Sequence, residues 1–200
     1  MGDLKLNMID TEKVLETELE KYSKSFNKKR IEEKTLENIH DPLMDVFEIT
    51  PIEKTKQAQY WGRELGALWE RLVRESFENS SKVTGFSGHL VVPDKRGKTD
   101  EPCDLIANGF AIDTKYRIGS GDSKFIKQFK ENYNLLVNRS YNPVLLILRE
   151  DNLSSPINSA KKAGWSVITG QQSFDFILKQ TGFDLKKFLD QRNKIYGRLK

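Results

Sequence analysis

Asn108 and Gly109 lie between two strand-like runs, residues 103–107 and 110–116. Both residue types accept positive φ, so the pair is the strongest short-range signal for a two-residue hairpin turn. Such a turn pairs Ala107 with Phe110 and, counting outward, sets Asp104 against Asp113. Opposed Cβ atoms in an antiparallel pair are roughly 5 Å apart, and two carboxylates at that distance repel by about 3 kcal/mol at an effective dielectric near 20. Side chains alternate along a strand, so Lys115 joins Asp113 on one face, while Phe110, Ile112, Thr114 and Tyr116 form a core-like opposite face that fixes the register.

Two carboxylates and an ammonium at one sheet edge suit a hard divalent cation such as Mg²⁺, which takes carboxylate oxygens and leaves positions for water and phosphate. A metal there can lower the pKa of an attacking water, and a neighbouring lysine can orient that water or stabilise a phosphoryl oxygen, which is the chemistry of phosphodiester hydrolysis. The competing reading is structural: Asp104 is a solvated strand end, Asp113 pairs with Lys115 or another cation, and nothing catalytic is present.

The rest of the chain bounds these options. Its 200 residues (23.1 kDa) predict one main domain, and 11 Phe, 6 Tyr and 3 Trp supply material for a core. No apolar run approaches the ~20 residues of a membrane span, and the charged start (Asp3, Lys5, Asp10, Glu12, Lys13) differs from a secretory signal, so a soluble cytoplasmic protein is expected. With one cysteine, Cys103, and two histidines, His40 and His89, a zinc cage of Cys and His is unavailable and any metal must sit on oxygen ligands. The net charge of +4 is uneven: residues 1–60 carry 10 basic and 13 acidic side chains, and residues 61–200 carry 23 and 16. A basic main body fits a polyanionic partner, and equally ordinary solubilising charge.

Residues 11–39 read as a polar-faced helix (Val14, Leu15, Leu19, Tyr22, Phe26), with Asp10 or Thr11 as N-cap. Breaks are expected at Asp41-Pro42 and Thr50-Pro51, which makes residues 1–50 an accessory or dimerisation arm. A second helix is predicted from about 54 to 77, with Leu65, Leu68, Trp69, Leu72 and Val73 on its core stripe and Gly62 and Gly66 beside it for close packing on a sheet. Then follow a strand over 88–93, a polar loop over 94–101, the hairpin, a helix over 123–138, an apolar strand over 144–148, a helix over 155–163, a strand over 165–169, and two helices parted at Gly182. This alternation predicts an α/β fold, a mixed central sheet flanked by helices with an N-terminal helical arm.

Pro102, Asp104 and Asp113-Thr114-Lys115, at the end of an apolar strand, resemble the PD-(D/E)XK signature of the restriction-endonuclease-like superfamily, with Cys103 intervening between the proline and the acid. The context from about residue 60 to 170 resembles that superfamily's αβββαβ core. The run from Ile112 to Ser123, with residues 144–152, is similar to type II restriction endonucleases of the ApaLI-like group.

The resemblance implies that residues 51–200 form a catalytic domain that cleaves double-stranded DNA with Mg²⁺. Asp104 and Asp113 would be metal ligands and Lys115 would activate or position the nucleophilic water. A third acid from the preceding helix would be Glu70, with Glu64 as the alternative; either could instead be an exposed glutamate paired with Arg74 or Arg71. Gln128, on the following helix, is a further candidate beside the site or a solvated residue. The segment Arg117, Gly119, Ser120, Gly121, Asp122, Ser123 and Lys124 is expected to contact DNA, with Asp122 or Ser123 also available as a helix N-cap. Arg149, Glu150, Asp151 and Asn152, after the buried strand, form a second candidate reading surface or a polar turn. Lys95, Arg96 and Lys98 could meet phosphates, and Lys186, Lys187, Arg192, Lys194, Arg198 and Lys200 a DNA backbone, though such side chains are more often solvated. Trp61, Trp69 and Trp165 are assigned to the core, and His89 has no role in a carboxylate site. A restriction enzyme with one active site per chain implies a homodimer on a palindromic site. Two other readings stay open: a repair or junction-resolving nuclease of the same fold, and a DNA-binding or partner-binding module whose aspartates are structural.

Overall fold

The computed structural model describes residues 40–90, 92–93, 99–119, 123–194 and 196. The helix expected over 11–39 lies outside them. The chain divides between Ile39 and His40.

Both prolines expected to mark breaks are helix starts. Asp41 caps α1 (Pro42–Val46), its Oδ1 accepting from the amides of Leu43 and Met44 at 3.1 Å, and Thr50 caps α2 (Pro51–Lys56) through Oγ1 and the Glu53 amide, also at 3.1 Å. Proline is favoured at the first helical position because its missing N–H would lack an intrahelical partner there anyway. Leu43, Met44, Val46 and Ile49 are fully or almost fully buried in the main core. Residues 41–50 therefore belong to the main body, and the expected arm boundary at 50 moves back to residue 39.

The predicted helix over 54–77 is two helices, because Gln57 leaves helical geometry (φ −134°, ψ 48°) between α2 and α3 (Ala58–Glu78). Leu65, Trp69, Val73 and Phe77, four apart, make the buried stripe of α3. A Cβ at Gly66 would meet Tyr116 Cβ at an ordinary 3.9 Å and one at Gly62 would meet nothing, so neither glycine is required by close packing.

Two small strands, β1 (Val92–Pro93) and β2 (Thr99–Asp100), pair antiparallel. The main sheet consists of β3 (Leu105–Ala107), β4 (Phe110–Lys115), β5 (Asn142–Ile147) and β6 (Ser166–Thr169), in that spatial order. β3 runs antiparallel to β4, whereas β4, β5 and β6 are mutually parallel. α4 (Ser123–Val137) and α5 (Ser154–Ala163) make the two parallel crossovers, and α6 (Gln171–Thr181) and α7 (Leu185–Asp190) follow β6. Among the described residues the strand expected over 88–93 does not extend the main sheet, and Ser87 alone bridges Ile106 at the outer edge of β3. Gly85 and Gly88 flank that bridge, and Pro93 has no N–H to donate to a longer ladder.

The sheet is buried on both faces. Val144, Leu146 and Leu148 join Ile112, Trp69, Phe77 and Ile177 in one core, while Leu145 and Ile147 join Ala111, Phe129, Leu136 and Trp165 in the other. The mixed sheet with helices on both faces is thus the layered α/β arrangement expected from the alternating pattern. Trp69 and Trp165 are buried and Trp61 is partly buried against the first core, as expected.

Candidate active site

The hairpin turn forms as its sequence requires, with Asn108 at φ 52° and Gly109 at φ 78°. The turn is anchored from outside, since Asn108 Oδ1 accepts from the Thr84 amide at 2.8 Å. Leu105 pairs with Ile112, Ile106 with Ala111, and Ala107 with Phe110, so the counted register holds across β3.

It departs at the residue that matters. Asp104 sits in a bend just before β3, and its own amide donates to Ile112 O at 2.9 Å. Its carboxylate reaches along β4, where Oδ2 accepts from both the amide and the hydroxyl of Thr114, each at 2.6 Å. Asp104 is therefore clamped onto Thr114 rather than held in a ladder pair with Asp113. Thr114, expected to be a core residue, is buried but spends its hydroxyl on this contact.

Asp113 and Lys115 share one side of β4, with Lys115 Nζ 2.5 Å from Asp113 Oδ1 and 3.0 Å from the Thr114 carbonyl. The carboxylate is 14% exposed and the ammonium 32%. Burial pushes the Asp113 carboxyl up to about 6; the Lys115 charge opposes this and the Asp104 charge reinforces it, as Glu70 does more weakly. Burial acts to lower the Lys115 pKa, but the charges of Asp113, Asp104 and Glu70 outweigh it and hold the amine above its ordinary value. The four predicted residues thus share one electrostatic neighbourhood. Burial also pushes the Cys103 thiol up to about 12, with Asp113 and Asp104 contributing, so that buried cysteine stays a neutral wall of the site.

Glu70 lies on α3 with Oε1 accepting from Arg74 Nη2 at 2.7 Å. Arg74 Nη2 also lies 3.0 Å from His89 Nε2, and His89 Nδ1 is 3.3 Å from Glu101 Oε2. Glu64 accepts from its neighbour Arg63 at 3.0 Å. Of the two helix acids, Glu70 is the one whose charge acts on Asp113 and Lys115.

Among the described residues no group of three or more His, Cys, Asp or Glu side chains is gathered closely enough to hold a metal ion. The donors at the β4 end are two carboxylates, Asp104 and Asp113, with Glu70 farther off. That all-oxygen set fits Mg²⁺, which is commonly held by one or two carboxylates with waters and substrate phosphate completing an octahedron.

The expected recognition residues divide sharply. Arg149 is a correction: its side chain is 2% exposed and locked to Asp151 (Nε–Oδ1 2.6 Å, Nη2–Oδ2 3.0 Å) and Asp41 (Nη1–Oδ2 3.2 Å), so it cannot read a base. Asn152 is tied into the chain, accepting from the Ile118 amide at 2.7 Å and donating to the Arg149 carbonyl at 2.6 Å. Arg117 is held by Asp151, Nε to the carbonyl and to Oδ2, both at 2.9 Å. Ser120, Asp122, Lys95, Arg96, Lys98, Arg198 and Lys200 lie outside the described residues; Ser123 and Lys124 open α4. Gln128 is exposed, as the solvated reading of it has it. On the C-terminal face Lys186 pairs with Asp190 and Arg192 stacks on the Phe188 ring.

Sequence reasoning missed a buried polar network beyond Lys115. The Tyr116 hydroxyl donates to Asp41 Oδ2 at 2.5 Å and accepts from Lys54 Nζ at 2.6 Å, with Arg149 and Asp151 completing the cluster. Burial, helped by the Arg149 guanidinium and opposed by Asp41, lowers the Lys54 amine to about 8. The unfolded amine titrates near 10.5, so the unfolded chain binds more protons between about pH 8 and 10.5 and stability from this group rises across that window. Replacing Lys54 by Met is expected to stabilise the fold by about 1 kcal/mol at pH 7, with the advantage shrinking from pH 8 upward. Urea titrations of both proteins at pH 7 and pH 10 check this; a difference that does not change with pH rules it out.

Compared with known proteins, the chain matches no family model, and no curated protein and no solved structure gives a significant match.

Proposed function

We propose that this chain is a Mg²⁺-dependent endonuclease that hydrolyses phosphodiester bonds in double-stranded DNA, in the manner of type II restriction enzymes of the PD-(D/E)XK superfamily. The observation that carries the reading is the meeting of Asp104, Asp113 and Lys115 at the end of β4, with the Glu70 charge felt by both members of the ion pair. Opposed charges held half-buried on a strand end are costly as a purely structural device, because apolar side chains of similar volume serve packing as well or better. The order α3, hairpin, α4, β5, α5 and β6 supports the superfamily reading, although the first strand of its αβββαβ core is represented only by the Ser87 bridge.

In this reading Asp104 and Asp113 hold the metal, and Lys115, released from Asp113, orients the water or donates to the phosphoryl oxygen. Mg²⁺, when bound, supplies Lewis-acid polarisation of the phosphate and a more acidic water. With Arg149 buried and Arg117 and Asn152 engaged internally, base reading falls to the segment 120–124, and a homodimer would bring two such sites onto a palindrome. No helix among the described residues is long and apolar enough to cross a membrane.

Incubating supercoiled plasmid DNA of known sequence with the purified chain and Mg²⁺ is expected to give discrete linear fragments, and none with EDTA. A smear would favour a nuclease that recognises DNA structure. Intact plasmid under every divalent cation would leave a binding module with structural aspartates.

A further inference from the structure

We infer that Thr114 is a positioning residue for the metal ligand Asp104, its hydroxyl and amide together fixing which carboxylate oxygen faces the metal. The inference rests on the metal site proposed above, and it concerns a side chain that the motif leaves unspecified, the residue between Asp113 and Lys115.

Both Thr114 donors converge on one oxygen, Oδ2 of Asp104, at 2.6 Å each. Among the described residues Oδ1 carries no hydrogen bond. A carboxylate on a bend before a strand would otherwise rotate freely about its side-chain torsions. Here two charge-assisted bonds to one oxygen pin the plane and leave the other oxygen available to a metal. Thr114 is 5% exposed, so water competes little for its hydroxyl, and β-branching limits its own rotamers within β4. The Thr114 side chain leaves β4 opposite Asp113 and Lys115, while its amide and hydroxyl together hold the Asp104 carboxylate beside the strand, where its charge acts on both members of the ion pair. The single residue thus ties the bend to the catalytic face. A hydrogen bond behind a metal ligand orients it and tunes its affinity, and its loss typically costs roughly 10- to 100-fold in metal binding.

Thr114→Val removes the hydroxyl at nearly constant volume, and Thr114→Ser restores it with less bulk. The full-length protein is titrated with Mn²⁺ alone by calorimetry, its thermal melt is recorded, and plasmid cleavage is followed against Mg²⁺ concentration. Thr114→Val is expected to bind Mn²⁺ roughly 10- to 100-fold more weakly and to need correspondingly more Mg²⁺ for half-maximal cleavage, while Thr114→Ser behaves as wild type. Adding Thr114→Val to an Asp104→Asn background is expected to cost nothing more, since the ligand it positions is gone. Wild-type Mn²⁺ affinity in Thr114→Val overturns the inference, as does an equal loss in the Val and Ser variants, which would make the contact a fold clip. If wild type binds Mn²⁺ in a Thr114-dependent way and never cuts DNA, the positioning role stands and the nuclease reading falls. If wild type cuts DNA and Thr114→Val cuts equally well at low Mg²⁺, the nuclease reading stands and the positioning role falls. A wild type that binds no Mn²⁺ overturns the positioning role.

Discussion

Asp113→Asn is expected to reduce Mg²⁺-dependent DNA cleavage by about 10²- to 10⁴-fold with the fold intact, and Lys115→Ala to do the same. Asparagine keeps the volume of the aspartate and its carbonyl oxygen but removes the charge that would draw a cation beside Asp104. Lys115→Ala takes away the only ammonium that, among the described residues, lies within hydrogen-bond reach of Asp113. It also leaves that carboxyl buried with the Asp104 and Glu70 charges, all of which push it toward its neutral form. A metal site needs the ionised form, so the alanine variant loses both the lysine and part of the ligand. Initial cleavage rates on a plasmid substrate, with thermal melts to verify folding, decide the matter. Wild-type rates in both variants would remove these residues from catalysis.

Arg149→Leu is expected to destabilise the fold by about 3–5 kcal/mol, the cost of breaking a buried ion cluster by deleting one partner. The guanidinium bridges Asp41 and Asp151, whose side chains are 6% and 3% exposed, so its loss leaves two carboxylates in the interior without their shared cation. At about 2–4 °C per kcal/mol for a chain of this size, the melting temperature falls by roughly 6–20 °C. Arg149→Lys is expected to recover little, because one ammonium cannot reproduce the fork that meets both oxygens of Asp151 while reaching Asp41. Urea unfolding at pH 7 measures this; a loss below about 1 kcal/mol would mean the cluster adds nothing over a solvated arginine.

What could be read in advance followed from local chemistry. Asn108-Gly109 specifies its turn through φ preferences of two adjacent residues, and the apolar run at 144–148 announces a strand buried on both faces, which the two cores bear out. The placement of Asp113 and Lys115 on one side of β4 follows from strand alternation alone. Counting the register outward failed at Asp104 because the ladder ends at Leu105, and beyond it the side chain competes with the backbone for the Thr114 amide. By sequence Arg149 reads as part of a recognition surface or a polar turn because it follows a strand, whereas its burial depends on Asp41, 108 positions away. No periodicity carries that information. Likewise Asp41-Pro42 and Thr50-Pro51 signal a change of direction whether a helix stops or begins, and only the capping contacts tell which.

Asp41 has a double allegiance: one oxygen caps α1, and the other receives Tyr116 and Arg149, with Tyr116 immediately following Lys115. A shortened chain starting at Pro51 would strip away that acceptor together with the apolar lid of Leu43, Met44, Val46 and Ile49. One starting at His40 keeps both. The leading end of the main body is therefore fixed by a single carboxylate that neutralises an arginine on the far side of the sequence.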